Sequence, residues 1–287
     1  MTIKINTIEE ALEFKAQKKL VGQFEMPDEV YFSPKLEAIS QSGLKFFSQS
    51  PAHYKASLIE PEETPALLFG KMFHAALLEP DIFAERYVSG KELGKLDLRT
   101  NADNAKLFAF KEKHAGKTII QENEFDQLTA MQKVFWSHPY MENIMKDALT
   151  EQAFFWNDPE TGVLCKMKID ILNPRLVLVS DLKSTIDASE FYKTAANNGL
   201  HIQNAFYIDH LRMILDLQAV LIFIVVEKSL PYGIRLCKLS TDDIKNGRIL
   251  YKEYLKKYAD CFYSDSWPCY PYDIQTVELP AWANRIN

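Results

Sequence analysis

Residues 151–207 read EQAFFWNDPETGVLCKMKIDILNPRLVLVSDLKSTIDASEFYKTAANNGLHIQNAFY and carry most of the functional information in the chain. Within them, Asp170 ends an alternating strand pattern, and Asp181 follows eleven residues later, two residues before Lys183. Paired carboxylates hold hard cations through oxygen, and a nearby ammonium can stabilise negative charge on a phosphate. This spacing therefore predicts a magnesium-dependent site that cleaves phosphodiester bonds, and so a protein that cuts nucleic acid.

The strand pattern around these residues indicates how the two acids could meet. Side chains alternate between the faces of a strand, so Lys166, Lys168 and Asp170 share one face. Asp181 and Lys183 share a face at the end of the next strand, and neighbouring strands can bring both acids to one edge of the sheet. The ordinary alternative is that Asp181 and Lys183 are strand-end charges that pair with each other.

Four further polar residues are candidates for the same site, and each has an ordinary alternative. Glu151 heads the first strand of the hairpin, where it is either an added metal ligand or a surface acid. His74 lies on a predicted helix and either binds a metal, orients water or packs in the core. Gln203 and Tyr207 are one helical turn apart, where they contact a phosphate or form a polar seam against the sheet.

Composition favours a soluble folded protein without a membrane anchor. The 287 residues are 47% hydrophobic and 25% charged, and the longest apolar run, residues 219–226, is too short to cross a bilayer. The N-terminus carries charges throughout and lacks an apolar signal core, which argues against secretion. The four cysteines form no CxxC pair, so we expect reduced thiols in the cytoplasm.

The net charge of −6 disfavours a protein that coats DNA nonspecifically, because such proteins are normally basic. A metal-dependent nuclease remains compatible with it, since bound cations restore positive potential where the phosphate sits. A DNA-binding surface must then be a local basic stripe or be created by assembly. Lys166, Lys168 and Arg175, around the hairpin, are the candidates.

The order of predicted elements favours a mixed α/β core with an N-terminal helical elaboration. Helices are predicted over residues 8–19, 40–50, 65–78, 101–114, 122–145, 201–217 and 241–262. Strands are predicted over residues 152–156, 164–172, 176–182, 219–226 and 232–239. We expect one domain, in which residues 1–150 are mainly helical, residues 151–263 form the core and residues 264–287 form a packed tail.

Six motifs, taken in order, resemble the nuclease domain of the RecE-type exodeoxyribonuclease VIII family, within the PD-(D/E)xK superfamily. The resemblance covers roughly residues 30–265 of the chain. The motifs are 39–44 (ISQSGL), 50–54 (SPAHY), 64–80 (TPALLFGKMFHAALLEP), 156–162 (WNDPETG), 181–185 (DLKST) and 203–207 (QNAFY). The resemblance implies a restriction-endonuclease-like fold, with a mixed central sheet flanked by helices.

The resemblance also implies a role for each candidate residue. Asp170 and Asp181 become metal-binding carboxylates, joined by the Leu182 carbonyl and by His74, the helical histidine of the RecB-like branch. Lys183 becomes the catalytic lysine, and Gln203 and Tyr207 form the QxxxY motif. The implied cofactor is Mg²⁺, which Mn²⁺ can replace. We expect no iron–sulphur cluster, because Ser50 stands where related iron–sulphur nucleases carry cysteine and no C-terminal cysteine cluster follows.

The implied activity is processive digestion of linear double-stranded DNA from its 5′ ends. Such enzymes pass the remaining 3′ tail to a strand-annealing protein of the RecT type for recombination, and their genes are typically carried by phages or prophages in bacteria. The resemblance further implies a ring-shaped homo-oligomer, a tetramer. Two alternatives remain open from the residues: a structure-specific or single-strand nuclease of the same fold, and a catalytically silent DNA-binding module.

Overall fold

The structure is a computed structural model that describes residues 2–60 and 64–279. The strands are β1 (Ile3–Lys4), β2 (Gly22–Glu25), β3 (Tyr87–Ser89), β4 (Thr118–Ile120), β5 (Leu149–Asn157), β6 (Leu164–Asn173), β7 (Leu178–Thr185), β8 (Val220–Glu227) and β9 (Ile234–Cys237). The helices are α1 (Ile8–Ala16), α2 (Asp28–Tyr31), α3 (Gln41–Gln49), α4 (Pro51–Ile59), α5 (Pro65–Leu78), α6 (Pro80–Arg86), α7 (Asn101–Lys113), α8 (Glu122–Ser137), α9 (Met141–Met145), α10 (Phe191–Asn197), α11 (Leu200–Leu215) and α12 (Thr241–Ser264).

A mixed sheet of seven strands forms the centre of the fold, in the order β1-β2-β5-β6-β7-β8-β9. β5, β6 and β7 are successive antiparallel neighbours, while β7 pairs with β8 in parallel through the crossover helices α10 and α11. β3 and β4 form a separate parallel pair. The predicted mixed α/β core is confirmed in this topology.

Helices cover both faces of the sheet, because its central strands are apolar on both sides. In β8, Leu221, Phe223 and Val225 pack under α11 and α12, whereas Ile224 and Val226 point to the opposite face, under α5 and α8. The site candidates on β5, β6 and β7 therefore lie between two helical layers.

Within the mainly helical N-terminal region, β1 and β2 extend the central sheet, and neither was among the predicted strands. β2 pairs antiparallel with β5, and Phe24 is fully buried against Phe155 with ring centroids 5.9 Å apart. The helix predicted over residues 122–145 is interrupted between Ser137 and Met141, where Pro139 cannot donate a backbone hydrogen bond. The short β2 sequence carries too little alternation to be recognised as a strand.

The expected packed C-terminal tail is only partly present. Trp267 packs on Tyr54 and Tyr258, with ring centroids 5.8 Å away from each. Tyr272 and Ile274 are fully exposed, so the tail is not packed there, and residues 280–287 lie outside the described residues. Among the residues described, no helix is both long and apolar enough to span a bilayer.

We predict that Gly247→Ala destabilises the protein, although alanine normally favours a helix over glycine. α12 crosses the start of α11 so closely that a Cβ at Gly247 would lie 2.1 Å from the His201 carbonyl oxygen. We expect the free energy of unfolding to fall by about 1–3 kcal/mol in urea denaturation. Asn246→Ala, at an exposed position one residue earlier, is the control. A more stable Gly247→Ala protein would contradict the close crossing.

Candidate active site

Glu151 and Asp170 face each other across β5 and β6. The residues on either side of Glu151 pair with those on either side of Asp170, so the strand register is kept across this point. Glu151 itself has a φ of 52°, a left-handed backbone conformation that is unusual for glutamate in a strand. Backbone strain of this kind persists where the surroundings hold it, and it concentrates at functional sites. The sequence carries no signal for it.

Asp170 and Asp181 stand where β6 and β7 separate. The paired register of these strands ends at Ile171 and Ser180, one residue from each acid. Beyond that point the Leu182 backbone N–H donates to Asp170 Oδ2 at 2.7 Å, so the carboxylate takes the place of a strand partner. Together, Glu151, Asp170 and Asp181 form the acidic cluster of this sheet edge.

His74 reaches this edge from α5. Thr64 caps that helix by accepting from the Leu67 N–H at 3.2 Å. His74 Nε2 donates to the Leu182 carbonyl oxygen at 2.8 Å. Its Nδ1 lies 3.6 Å from Asp170 Oδ2 and 3.8 Å from Glu151 Oε1. The imidazole therefore faces two carboxylates, rather than packing in the apolar core.

His74, Glu151 and Asp170 form a group that can hold a metal ion. One potential ligand atom from each lies within 4.8 Å of the other two, and the Leu182 carbonyl adjoins the group through His74. Carboxylate and carbonyl oxygens suit Mg²⁺ or Mn²⁺, while an imidazole nitrogen adds a ligand that transition ions accept readily. The donor set therefore fits a divalent cation. Asp181 stands outside this group of three.

The electrostatics of the cluster favour added positive charge. Burial lowers the pKa of the His74 imidazole, but the carboxylates of Asp170 and Glu151 outweigh burial and raise that pKa to about 9. Burial and repulsion from Asp181 and Glu151 raise the pKa of the Asp170 carboxyl. The imidazolium thus neutralises part of the cluster, and a divalent cation would compete for the same negative charge.

Asp181 is buried and held from two sides. Its Oδ1 accepts from Gln203 Nε2 at 2.5 Å, and its Oδ2 forms an ion pair with Lys183. Burial lowers the pKa of the Lys183 ammonium, but Asp181 and Asp170 raise it above its ordinary value. Lys183 therefore carries a stable positive charge beside the cluster. The alternative that Asp181 and Lys183 simply pair with each other is present here, but within a larger group of charges.

Gln203 and Tyr207 both form hydrogen bonds within the protein. Gln203 binds Asp181, and the Tyr207 hydroxyl donates to the Lys168 carbonyl oxygen at 3.1 Å. These contacts tie α11 to β7 and β6, as the polar seam weighed as the alternative would. The phosphate contact stays a prediction.

The two lysines that were predicted to bind DNA pair with other groups of the protein. Lys166 is buried and donates to the Tyr31 carbonyl oxygen at 2.6 Å, while Lys168 forms ion pairs with Asp28 at 2.5 Å and with Glu151 at 2.7 Å. Neither ammonium is available to a phosphate, which corrects both predictions. The physical reason is that α2, far away in sequence, packs over this face of β6.

Arg175 remains at the surface, in the turn between β6 and β7. Its guanidinium donates to the Asn143 side-chain oxygen at 2.9 Å and lies 3.8 Å from Asp147. Asp28 and Tyr31, the partners of Lys168 and Lys166, were not among the sequence candidates. The signal that could have suggested them is the presence of two lysines in an otherwise buried strand, since buried ammonium groups require partners.

We predict that Gln203→Leu lowers stability without lowering affinity for DNA. Leucine leaves a buried oxygen of Asp181 without its hydrogen bond, which should reduce the free energy of unfolding by about 1–3 kcal/mol. DNA affinity, measured by fluorescence anisotropy in EDTA, should stay unchanged because the Gln203 side chain is buried and its amide binds Asp181. Met213→Leu, exposed on the same helix, is the control. Weakened DNA binding with unchanged stability would restore the phosphate-contact role.

Comparison with known proteins agrees with this fold. A "Putative exonuclease" from Eubacterium rectale, solved as a crystal structure, superimposes with a TM-score of 0.55 at 16% identity, covering 82% of this chain and 87% of that chain. At this identity the likeness shows the fold alone. A second crystal structure, described as SSO0001, has 13% identity and covers 65% of this chain and 85% of its own, but its TM-score of 0.27 carries no argument. No curated protein matches the chain.

Residues 40–279, most of the chain, match the family described as PDDEXK-like domain of unknown function (DUF3799). This match and the mixed sheet flanked by helices confirm the predicted restriction-endonuclease-like fold. The chain therefore belongs to the PDDEXK-like family DUF3799.

Proposed function

We propose that this protein is a divalent-metal-dependent exodeoxyribonuclease that hydrolyses phosphodiester bonds in linear double-stranded DNA. The observation that carries the proposal is the convergence of His74, Glu151 and Asp170 beside the Asp181–Lys183 pair, at one sheet edge of a PDDEXK-like fold. A metal-binding group next to a stably charged lysine suits attack on a phosphate.

The chain's own residues supply the positioning and the positive charge for this reaction. Hydrolysis joins a water oxygen to phosphorus and breaks one bond from phosphorus to a sugar oxygen, which takes up a proton. In this proposal, Lys183 stabilises the charge that develops on the phosphate oxygens. Gln203 fixes Asp181 and thereby Lys183. A bound Mg²⁺ or Mn²⁺, held by Asp170, Glu151 and His74, would polarise the phosphate and lower the pKa of a water molecule.

The finer parts of the proposal rest on the resemblance of the ordered motifs to the RecE type. These parts are 5′ to 3′ polarity, production of 3′ tails for recombination, a RecT-type annealing partner, and a phage or prophage gene expressed in a bacterial cell. A ring-shaped homotetramer also follows from the resemblance. The net charge of −6 supports assembly, because a single acidic chain holds DNA weakly.

We predict that the protein degrades linear duplex DNA and leaves circular duplex of the same sequence intact. Both substrates would be incubated with Mg²⁺, with Mn²⁺ and with EDTA, and only the linear form with a metal should disappear. Release of a label from the 5′ end before the 3′ end would support the proposed polarity. Cutting of circles would favour an endonuclease, and digestion of single strands alone would favour the single-strand alternative. No cleavage of either substrate would favour a silent DNA-binding module.

We predict that Lys183→Ala and Asp181→Asn each lower the cleavage rate by on the order of 10²–10³. The first removes the ammonium that stabilises the transition state, and the second removes the carboxylate that positions this ammonium. DNA affinity in EDTA should remain close to that of the wild type. Asp126→Asn, an exposed acid on α8, is the matched control. Wild-type rates in Asp181→Asn would contradict the assigned site. Equal losses of binding and cleavage in Lys183→Ala would show that this lysine only binds the phosphate of the DNA and does not act in catalysis.

A further inference from the structure

The N-terminal segment (residues 22–38) packs against the strands that carry the acidic cluster. Its strand β2 pairs with β5, and the following residue Ile39 bridges to Cys165 on β6. Within the segment, Asp28 and Tyr31 provide the partners of Lys168 and Lys166 described above. The family match begins at residue 40, so this segment lies outside the matched region.

Asp28 and Glu151 share one ammonium. Lys168 Nζ lies 2.5 Å from Asp28 Oδ1 and 2.7 Å from Glu151 Oε2. The other oxygen of Glu151, Oε1, faces His74 Nδ1 at 3.8 Å. One oxygen of Glu151 is therefore anchored by Lys168, while the second is directed toward the group that can hold a cation.

The net charge of the group formed by Asp28, Lys168 and Glu151 depends on Asp28. One positive and two negative charges leave a net charge of −1, so Glu151 keeps negative charge to offer to a cation. Without Asp28, the Lys168 charge would neutralise Glu151 completely. The Asp28 carboxylate is held on its other side by Arg86, whose Nη1 lies 3.4 Å from Asp28 Oδ2, and Arg86 is shared with Glu29.

We propose that Asp28 is a positioning residue for the divalent-cation site, acting by drawing the charge of Lys168 away from Glu151. The N-terminal segment thus completes a site whose ligands all lie within the matched family region. This inference rests on the proposed function, because the cation concerned is the one that the proposed cleavage uses. It deepens that function by assigning control of cation affinity to a residue that touches neither the cation nor the substrate.

The test compares Asp28→Asn with Glu29→Gln, the matched control. Both substitutions remove one acid from the same turn of α2, and both acids pair with Arg86, but only Asp28 contacts Lys168. Binding of Mn²⁺ alone to the full chain would be titrated by electron paramagnetic resonance without DNA. Asp28→Asn should weaken binding about tenfold, the lower end of the losses found when groups behind a metal's ligands are changed. Glu29→Gln should bind like the wild type.

A double variant separates charge from structure. Asp28→Asn combined with Lys168→Gln restores the net charge of −1 while keeping a side-chain donor for Glu151. It should therefore recover most of the Mn²⁺ affinity lost in Asp28→Asn. A purely structural role predicts the opposite, a double variant weaker than the single one. In cleavage assays, Asp28→Asn should raise the half-saturating Mn²⁺ concentration and leave the rate at saturating Mn²⁺ nearly unchanged.

Three results would overturn the inference: wild-type Mn²⁺ affinity in Asp28→Asn, equal effects of Asp28→Asn and Glu29→Gln, or no recovery in the double variant. The failure of the proposed function has a different signature. If the wild type binds Mn²⁺ but cuts no nucleic acid, the nuclease proposal fails, and the binding comparison still decides the role of Asp28. A wild type that binds no Mn²⁺ would overturn both.

Discussion

Burial of three carboxylates at one sheet edge is the constraint on which the rest of the site depends. An ionised carboxylate that loses its water must regain hydrogen bonds or a counter-charge, and a missing partner costs several kcal/mol. The acidic cluster obtains five partner groups from four elements of the fold. They are the imidazole of His74 on α5, the ammonium groups of Lys168 on β6 and Lys183 on β7, the N–H of Leu182, and the amide of Gln203 on α11.

The hydrogen bonds and ion pairs that stabilise the acidic cluster also determine how the helices pack on the sheet. His74 binds the Leu182 carbonyl from one face, while Gln203 and Tyr207 bind β7 and β6 from the other. The close crossing at Gly247 lets α12 hold α11 against the sheet. The side chains that complete the site therefore also join its two helical layers.

Much of the fold could be predicted from local sequence. The alternation through residues 164–172 and the apolar runs before Asp181 and Glu227 indicated the strands, and Thr64 with Pro65 marked the start of α5. β2 escaped prediction because four residues with one buried side chain carry little periodicity. It becomes a strand only because β5 offers it an edge with hydrogen-bonding groups.

The sequence by itself determined which acids, which lysine and which helical residues could meet, because strand and helix periods assign side chains to faces. The tertiary structure alone decided what each group does there. It buried Lys166 and partly buried Lys168, since α2 folds over them, and it brought Asp28 to Lys168 across 140 residues of chain. Local patterns specify which face a side chain occupies, but only the packed chain specifies which distant charge it meets, because Coulombic interaction depends on distance in space rather than along the sequence.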